Sequence, residues 1–169
     1  MHFDRLAHRV AGRWGIAVSD LQRPRQKVLP LGPIERTYSD RLLAIGDAAG
    51  IVKPTTGGGI YYSLLSASLA SDVLIDSLTR DQLRADHLRV YQRHWRELLA
   101  DEFQAQLSLR LVAHRMSDDD IEQLFELART DGVMPIVRRT ASFNRHRRLI
   151  LELLKHPPVR QLLLRHLAF

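Results

Sequence analysis

The stretch Leu42-Leu43-Ala44-Ile45-Gly46-Asp47-Ala48-Ala49-Gly50-Ile51-Val52-Lys53-Pro54-Thr55-Thr56-Gly57-Gly58-Gly59-Ile60-Tyr61-Tyr62 decides how the rest of the sequence is read. It runs from a short apolar segment through small residues and a proline to three consecutive glycines, then into an apolar helical pattern. A strand ending in Gly-Asp-Ala-Ala-Gly sets Asp47 at the C-terminal edge of a sheet, where open α/β sheets place their ligands. Small residues let another molecule come close to the backbone. Pro54 turns the chain, and Gly57-Gly58-Gly59 opens the next helix with N–H groups that no side chain covers.

The two halves of this stretch ask for different parts of a ligand. An ionised carboxylate only accepts hydrogen bonds, so Asp47 repels a phosphate and prefers a hydroxyl donor such as a ribose or ribitol. Bare N–H groups at a helix start want an anion or an electron-rich carbonyl oxygen. A sugar alcohol joined to an electron-rich ring satisfies both. Gly-Asp-Ala-Ala-Gly alone, or three glycines alone, reads equally well as a structural turn; the pair, spaced by a proline between strand and buried helix, favours a ligand.

Outward from this core, Phe3, Leu6, Val10 and Trp14 predict an amphipathic helix over 3–14. Val28-Leu29 and Leu42-Leu43-Ala44-Ile45 read as short strands joined by the polar connection Glu35 to Asp40. From Ile60 to Leu78 the residues are apolar or small almost all round, which predicts a buried helix. Thr79 and Gln82 have capping-box spacing ahead of a long helix with the stripe Leu88, Tyr91, Trp95, Leu98 and Leu99. Ser117 caps the next helix, whose buried face is Ile121, Leu124, Phe125 and Ala128, with Gly132 and Pro135 ending it. Further helices are expected over 143–155 and 159–168, on either side of His156-Pro157-Pro158. The fold class is α+β, mostly α-helical, with short strands near 28–45 and a C-terminal helical bundle.

Composition sets the outer limits. The 169 residues are 45% hydrophobic and 26% charged, enough for a core without disulfides or metal, and the absence of Cys excludes a thiol nucleophile and Cys-ligated clusters. No apolar run reaches the roughly 20 residues needed to cross a bilayer, so the expected location is cytoplasmic, at most peripheral at a membrane. The net charge of +6 is uneven: residues 1–128 hold 16 basic and 17 acidic side chains, residues 129–169 hold 9 and 2. That basic tail is either a solvated helical face or a surface for anions such as lipid headgroups. No stacking pattern or motif for nucleic acid accompanies it, and none is expected as a partner.

Gly46-Asp47-Ala48-Ala49-Gly50, Pro54 and Gly57-Gly58-Gly59-Ile60 together resemble the second flavin-binding motif of FAD-dependent oxidoreductases of the glutathione-reductase-like superfamily, which includes aromatic hydroxylases. The longer string Lys53 to Tyr62, with Tyr91 and Trp95 on a later helix and Phe143-Asn144-Arg145-His146 beyond, is more particularly similar to the geranylgeranyl reductase family. That resemblance implies an enzyme saturating isoprenoid double bonds by hydride transfer from reduced FAD, with NADPH or another donor supplying electrons. It implies that Asp47 bonds the flavin ribitol, that Gly59 and Ile60 approach the pyrimidine end of the ring, and that Gly58 joins them in favouring the reduced anion. Gly46 and Ala48 give the cofactor room. The partners implied are an isoprenoid or prenyl-lipid substrate and an anionic membrane surface.

The resemblance is incomplete. The Gly-x-Gly-x-x-Gly turn that binds the ADP diphosphate is missing, since residues 1–27 hold only Gly12 and Gly15. The sequence therefore reads as the C-terminal part of such an oxidoreductase, with a partial FAD site that awaits an N-terminal half. Residues 1–78 would be the remnant of the FAD-binding and substrate domain and 79–169 a helical region. The alternatives are a flavin monooxygenase-type fragment, or a non-catalytic helical module whose basic tail binds a membrane or partner. No catalytic side chain and no metal site is assigned; His87 and His94, seven apart, lack a carboxylate cluster. Tyr61 and Tyr62 either line the flavin pocket or begin the core of the buried helix.

Overall fold

The computed structural model describes residues 2–21, 25, 27–130 and 132–166. Among these the chain forms α1 (His2–Trp14), a hairpin of β1 (Tyr38–Ser39) and β2 (Leu42–Leu43), then α2 (Ile60–Thr79), α3 (Ala85–Arg115), α4 (Asp118–Thr130), α5 (Val133–Thr140), α6 (Arg147–Lys155) and α7 (Pro157–Leu164). The α+β, mostly helical class is as the sequence predicts, but the strands differ in detail. β1 and β2 pair antiparallel, Tyr38 opposite Leu43 and Ser39 opposite Leu42. The partner of 42–43 is thus inside the polar connection, where Asp40 and Arg41 make the turn. Val28-Leu29 forms no strand; both side chains are exposed, and Pro30 follows with no N–H to give a ladder.

The first core gathers Ile51, Tyr62, Ala70 and Val73 against the α3 stripe Leu88, Tyr91, Trp95, Leu99 and Phe103. Its polar atoms are paired, as burial demands. The Trp95 indole donates to Thr37 Oγ1 at 2.9 Å, and the Tyr91 hydroxyl donates to the Ala44 carbonyl at 3.0 Å. Burial pushes the Tyr91 phenol up to about 12, so it keeps its proton for that bond at neutral pH. Leu98, expected in the stripe, is exposed.

Two expectations about α2 and α3 are corrected. α2 is buried on one face only, through Tyr62, Ser66, Ala70, Val73 and Ser77. Ile60 (82%), Leu64 (68%), Ile75 and Leu78 are exposed, because no described element covers that face. The Thr79–Gln82 box does not form either. α2 runs on through Thr79, whose hydroxyl bonds back to the Ile75 carbonyl at 2.7 Å, and Asp81 at φ +52° turns the chain. α3 is capped instead from the hairpin, where Asp40 Oδ1 accepts the Ala85 N–H at 2.7 Å.

The second core joins Val112 of α3 to Val133, Val159 and Leu163, with Leu124, Leu127 and Leu153 packed around them. Ser117 caps α4 as expected: its hydroxyl accepts the Asp120 N–H at 3.2 Å while Asp120 Oδ2 accepts the Ser117 N–H at 2.9 Å. The Ser117 hydroxyl, donating to Asp120 Oδ2 at 2.6 Å, together with the Ser117 N–H holds the Asp120 carboxyl below the usual carboxylate range. The buried face of α4 is rotated from the expected one, since Phe125 is 63% exposed and Ile121 is exposed, while Leu124, Leu127 and Ala128 meet the core. Pro135 lies in the first turn of α5, where its missing N–H is harmless. α6 begins at Arg147, four residues later than predicted, leaving Phe143 to His146 as a loop; α7 opens on Pro157 and Pro158, and positions 167 and 168 of its expected span lie outside the described residues. α3, at 31 residues and about 46 Å, passes through both cores.

Candidate functional site

β2 leads through Ile45 into a 3-10 turn, Gly46–Ala49. The turn is fastened to α2 by the Gly46 N–H, which donates to Ser66 Oγ at 3.0 Å, and closed by Ile51 N–H on the Gly46 carbonyl at 2.9 Å. Gly50 ends it at φ +66°, packed so closely on the Gly32 carbonyl that a Cβ has no room. Ile51 and Val52 then dive into the interior, fully buried. Lys53 closes the glycine turn with its backbone: its carbonyl accepts the Gly57 N–H at 2.7 Å and its N–H donates to the Gly58 carbonyl at 3.0 Å. α2 starts at Ile60 with Gly59 as its N-cap and no side-chain cap.

The two halves of the motif meet at Gly59. The Asp47 carboxylate lies against it, and a Cβ at position 59 would collide with Asp47 Oδ1. Asp47 makes no side-chain hydrogen bond to another described residue, and neither do the N–H groups of Gly58, Gly59 and Ile60. An acceptor without a donor and donors without an acceptor thus stand side by side at the positive end of a 20-residue helix.

Between them opens a cavity of about 570 Å³, lined by Gly46, Asp47, Ala48, Gly59 and Ile60 together with Ile45, Ser63 and Leu64. Five of the six residues singled out from sequence share this wall. Gly58 does not line it; its carbonyl faces Lys53. Ser63 and Leu64 were missed, although they lie three and four positions after Ile60 on one helical face, a signal that spacing alone carries.

The aromatic pair sits elsewhere. Tyr62 is fully buried, its ring 5.1 Å from Phe103 and its phenol pushed up chiefly by desolvation, so it donates a proton to the Asn144 carbonyl. Tyr61 meets it edge-on at 5.1 Å, and neither lines the cavity. Of the two readings open to these tyrosines, Tyr62 takes the core one. Trp95 likewise is core. His87 and His94 share a separate groove, and no group of three or more His, Asp or Glu among the described residues is placed to hold a metal ion.

The chain is similar to several curated relatives and to a solved structure. A digeranylgeranylglycerophospholipid reductase from Methanocaldococcus jannaschii is 38% identical over 95 residues, covering 56% of this chain and 24% of that protein. Digeranylgeranylglycerophospholipid reductase 1 from Methanopyrus kandleri is 36% identical over 112 residues, covering 61% and 29%. The chain spans about a quarter of the length of such relatives. A geranylgeranyl bacteriochlorophyll reductase-like protein from Thermoplasma acidophilum superposes over 96% of this chain and 39% of its own with a TM-score of 0.61, at 19% identity, and shows the shared fold. The reductase-family resemblance read from the sequence is borne out by these names. The model of the lycopene cyclase protein family matches residues 2–130, some three quarters of the sequence, and the chain belongs to that family.

Proposed function

We propose that the cavity at Asp47 and Gly59 is the ring-side part of an FAD site, and that the chain forms part of a reductase saturating isoprenoid double bonds. The observation that carries this is the Asp47 carboxylate, without a hydrogen-bond partner among the described residues, beside the bare α2 N-terminus with only a glycine between them. FAD, when bound and reduced by an electron donor, would supply the hydride that together with a proton saturates the alkene, so the protein need furnish no nucleophile. Asp47 accepts a ribitol hydroxyl. The N–H groups of Gly59 and Ile60 meet a ring carbonyl and, with Gly58 beside them at the positive end of the helix dipole, favour the negative charge of the reduced form. Gly46 and Ala48 leave room, and Ile45 and Leu64 cover the apolar side. The isoprenoid class rests on the relatives' names, and NADPH is an electron donor compatible with this chemistry.

On this reading residues 1–78 belong to the flavin side and 79–169 to a helical region, and the exposed α2 face of Ile60, Leu64, Ile75 and Leu78 receives the adenosine-binding part of the enzyme. Complementation tests it. The chain, mixed with or fused to the adenosine-binding part of a related reductase, is expected to retain FAD through desalting, and Asp47→Ala to lower that affinity at least about tenfold. A folded complex that retains no flavin overturns the reading.

The basic tail supports peripheral contact with an anionic membrane. Arg145 and Arg148 are exposed, as is Phe143 at 86%. Each cation near such a surface contributes about 1 kcal/mol, so replacing Arg145, Arg147 and Arg148 by Gln is expected to weaken binding to phosphatidylglycerol-rich vesicles roughly 100-fold. Co-sedimentation at low and high salt measures it, and unchanged binding counts against the contact.

A further inference from the structure

Two segments singled out from sequence, Lys53 to Tyr62 and Phe143 to His146, lie about ninety positions apart in the chain and meet in space. The Lys53 ammonium donates to the Phe143 carbonyl and lies 4.0 Å from the centroid of the Phe143 ring. The Tyr62 hydroxyl donates to the Asn144 carbonyl. Thr55 Oγ1 and His146 Nδ1 are 3.1 Å apart. The loop between α5 and α6 is therefore tied to the chain on both sides of the three glycines, at Lys53 and Thr55 before them and at Tyr62 after.

The far end of the loop is held just as firmly. Glu102, a buried carboxylate on α3, accepts the His146 N–H at 2.5 Å and the Arg147 N–H at 3.0 Å, at the start of α6. The same oxygen accepts from Gln106 Nε2 at 2.7 Å, and Gln106 in turn reaches Tyr62 (3.4 Å) and Thr55 (3.2 Å). Lys53 is only 5% exposed, and among the described residues its ammonium meets a carbonyl and a ring but no carboxylate. Burying a cation this way is unfavourable unless its bonds are well made. Glycine gives the turn no rigidity of its own, since it lacks the side chain that would restrict its backbone.

We propose that residues 143–146 act as a strap that holds the glycine turn in its ligand-facing shape, with Lys53, Thr55 and Tyr62 as its anchors and Glu102 as the group that fixes its far end. These are positioning residues: none lines the cavity, and each acts on Gly59 and Ile60 through the backbone. The strap deepens the flavin reading, on which it rests only for what the turn faces.

Coupling of this kind is reciprocal, so a cut at one end is read at the other. Residue-resolved amide exchange on the full chain without flavin measures it. Lys53→Met keeps the buried bulk and removes the bond to Phe143; it is expected to speed exchange of the His146, Arg147 and Ile150 amides at least tenfold while the α3 amides of residues 92–99 hold their rates. Glu102→Leu, which removes no direct hydrogen bond to residues 53–62, is expected to speed exchange of the Gly57 and Ser63 amides equally, and Glu102→Gln, which keeps a carbonyl acceptor, to restore them. If Glu102→Leu does not fold, the Lys53 arm decides. Changes confined to the mutated end, or acceleration shared equally by α3, overturn the proposal. Because no flavin is present, failure to bind FAD in the complementation experiment would sink the flavin reading and leave this result standing.

Discussion

Gly50→Ala is expected to lower the unfolding free energy by about 3 kcal/mol or more, through a left-handed backbone and a blocked contact acting together. At φ +66° an added Cβ costs about 1–2 kcal/mol by itself. Here the Cβ would also strike the Gly32 carbonyl oxygen and lie 2.8 Å from its carbon and 3.1 Å from Pro33 Cα. All of these are backbone atoms, so relief requires moving the 32–34 segment, which is itself bonded to the site through the Ile34 N–H on the Ala49 carbonyl at 3.0 Å. Gly132→Ala is the control, since Gly132 has φ +75° but nothing within 4 Å of the added atom, and it should show the conformational part alone. In thermal unfolding the Gly50 variant is expected to melt roughly 10 °C lower, given about 2–4 °C per kcal/mol for a chain of this size. Equal losses for the two variants would show that the Gly32 contact is soft.

The second large effect is on the cofactor. On the proposed reading the 169-residue chain alone is expected to bind FAD with a Kd of about 0.1 mM or weaker, because the cavity would take only the ring and ribitol and its lining offers nothing suited to the diphosphate and adenine. Gly59→Ala should abolish even that. The new Cβ occupies the place of Asp47 Oδ1, so the carboxylate must swing away from the helix start and the two complementary features come apart. Asp47→Asn keeps an acceptor oxygen in place and should lose far less. Flavin fluorescence titration distinguishes these outcomes, and sub-micromolar stoichiometric binding by the chain alone would contradict a partial site.

The part of the site legible from sequence was the part built from backbone requirements. Asp47, Gly59 and Ile60 fall together because a turn of small residues and a glycine-started helix have few ways to pack. Ser63 and Leu64 were hidden only by attention to the glycines, as helical spacing includes them. What sequence could not provide was partnership across long separations. Asp40 capping α3, Glu102 holding the start of α6 and Lys53 meeting Phe143 are pairings that no local pattern encodes. The rotated face of α4 has the same origin, since 121/124/125/128 and 124/127/128 differ by less than the helical period resolves. The bare face of α2 misled in the other direction, because apolar periodicity predicts burial without saying against what.

α3 has a consequence for how the molecule comes apart. Leu88 to Phe103 belong to one core and Val112 to the other, with continuous helix between them. Neither core can lose its share of α3 without breaking that helix mid-span, where a new pair of unsatisfied ends would form. The two cores are thus bound into one cooperative unit by a shared backbone, and a disturbance in the C-terminal helices carries a thermodynamic penalty at the hairpin, where Asp40 caps the opposite end of α3.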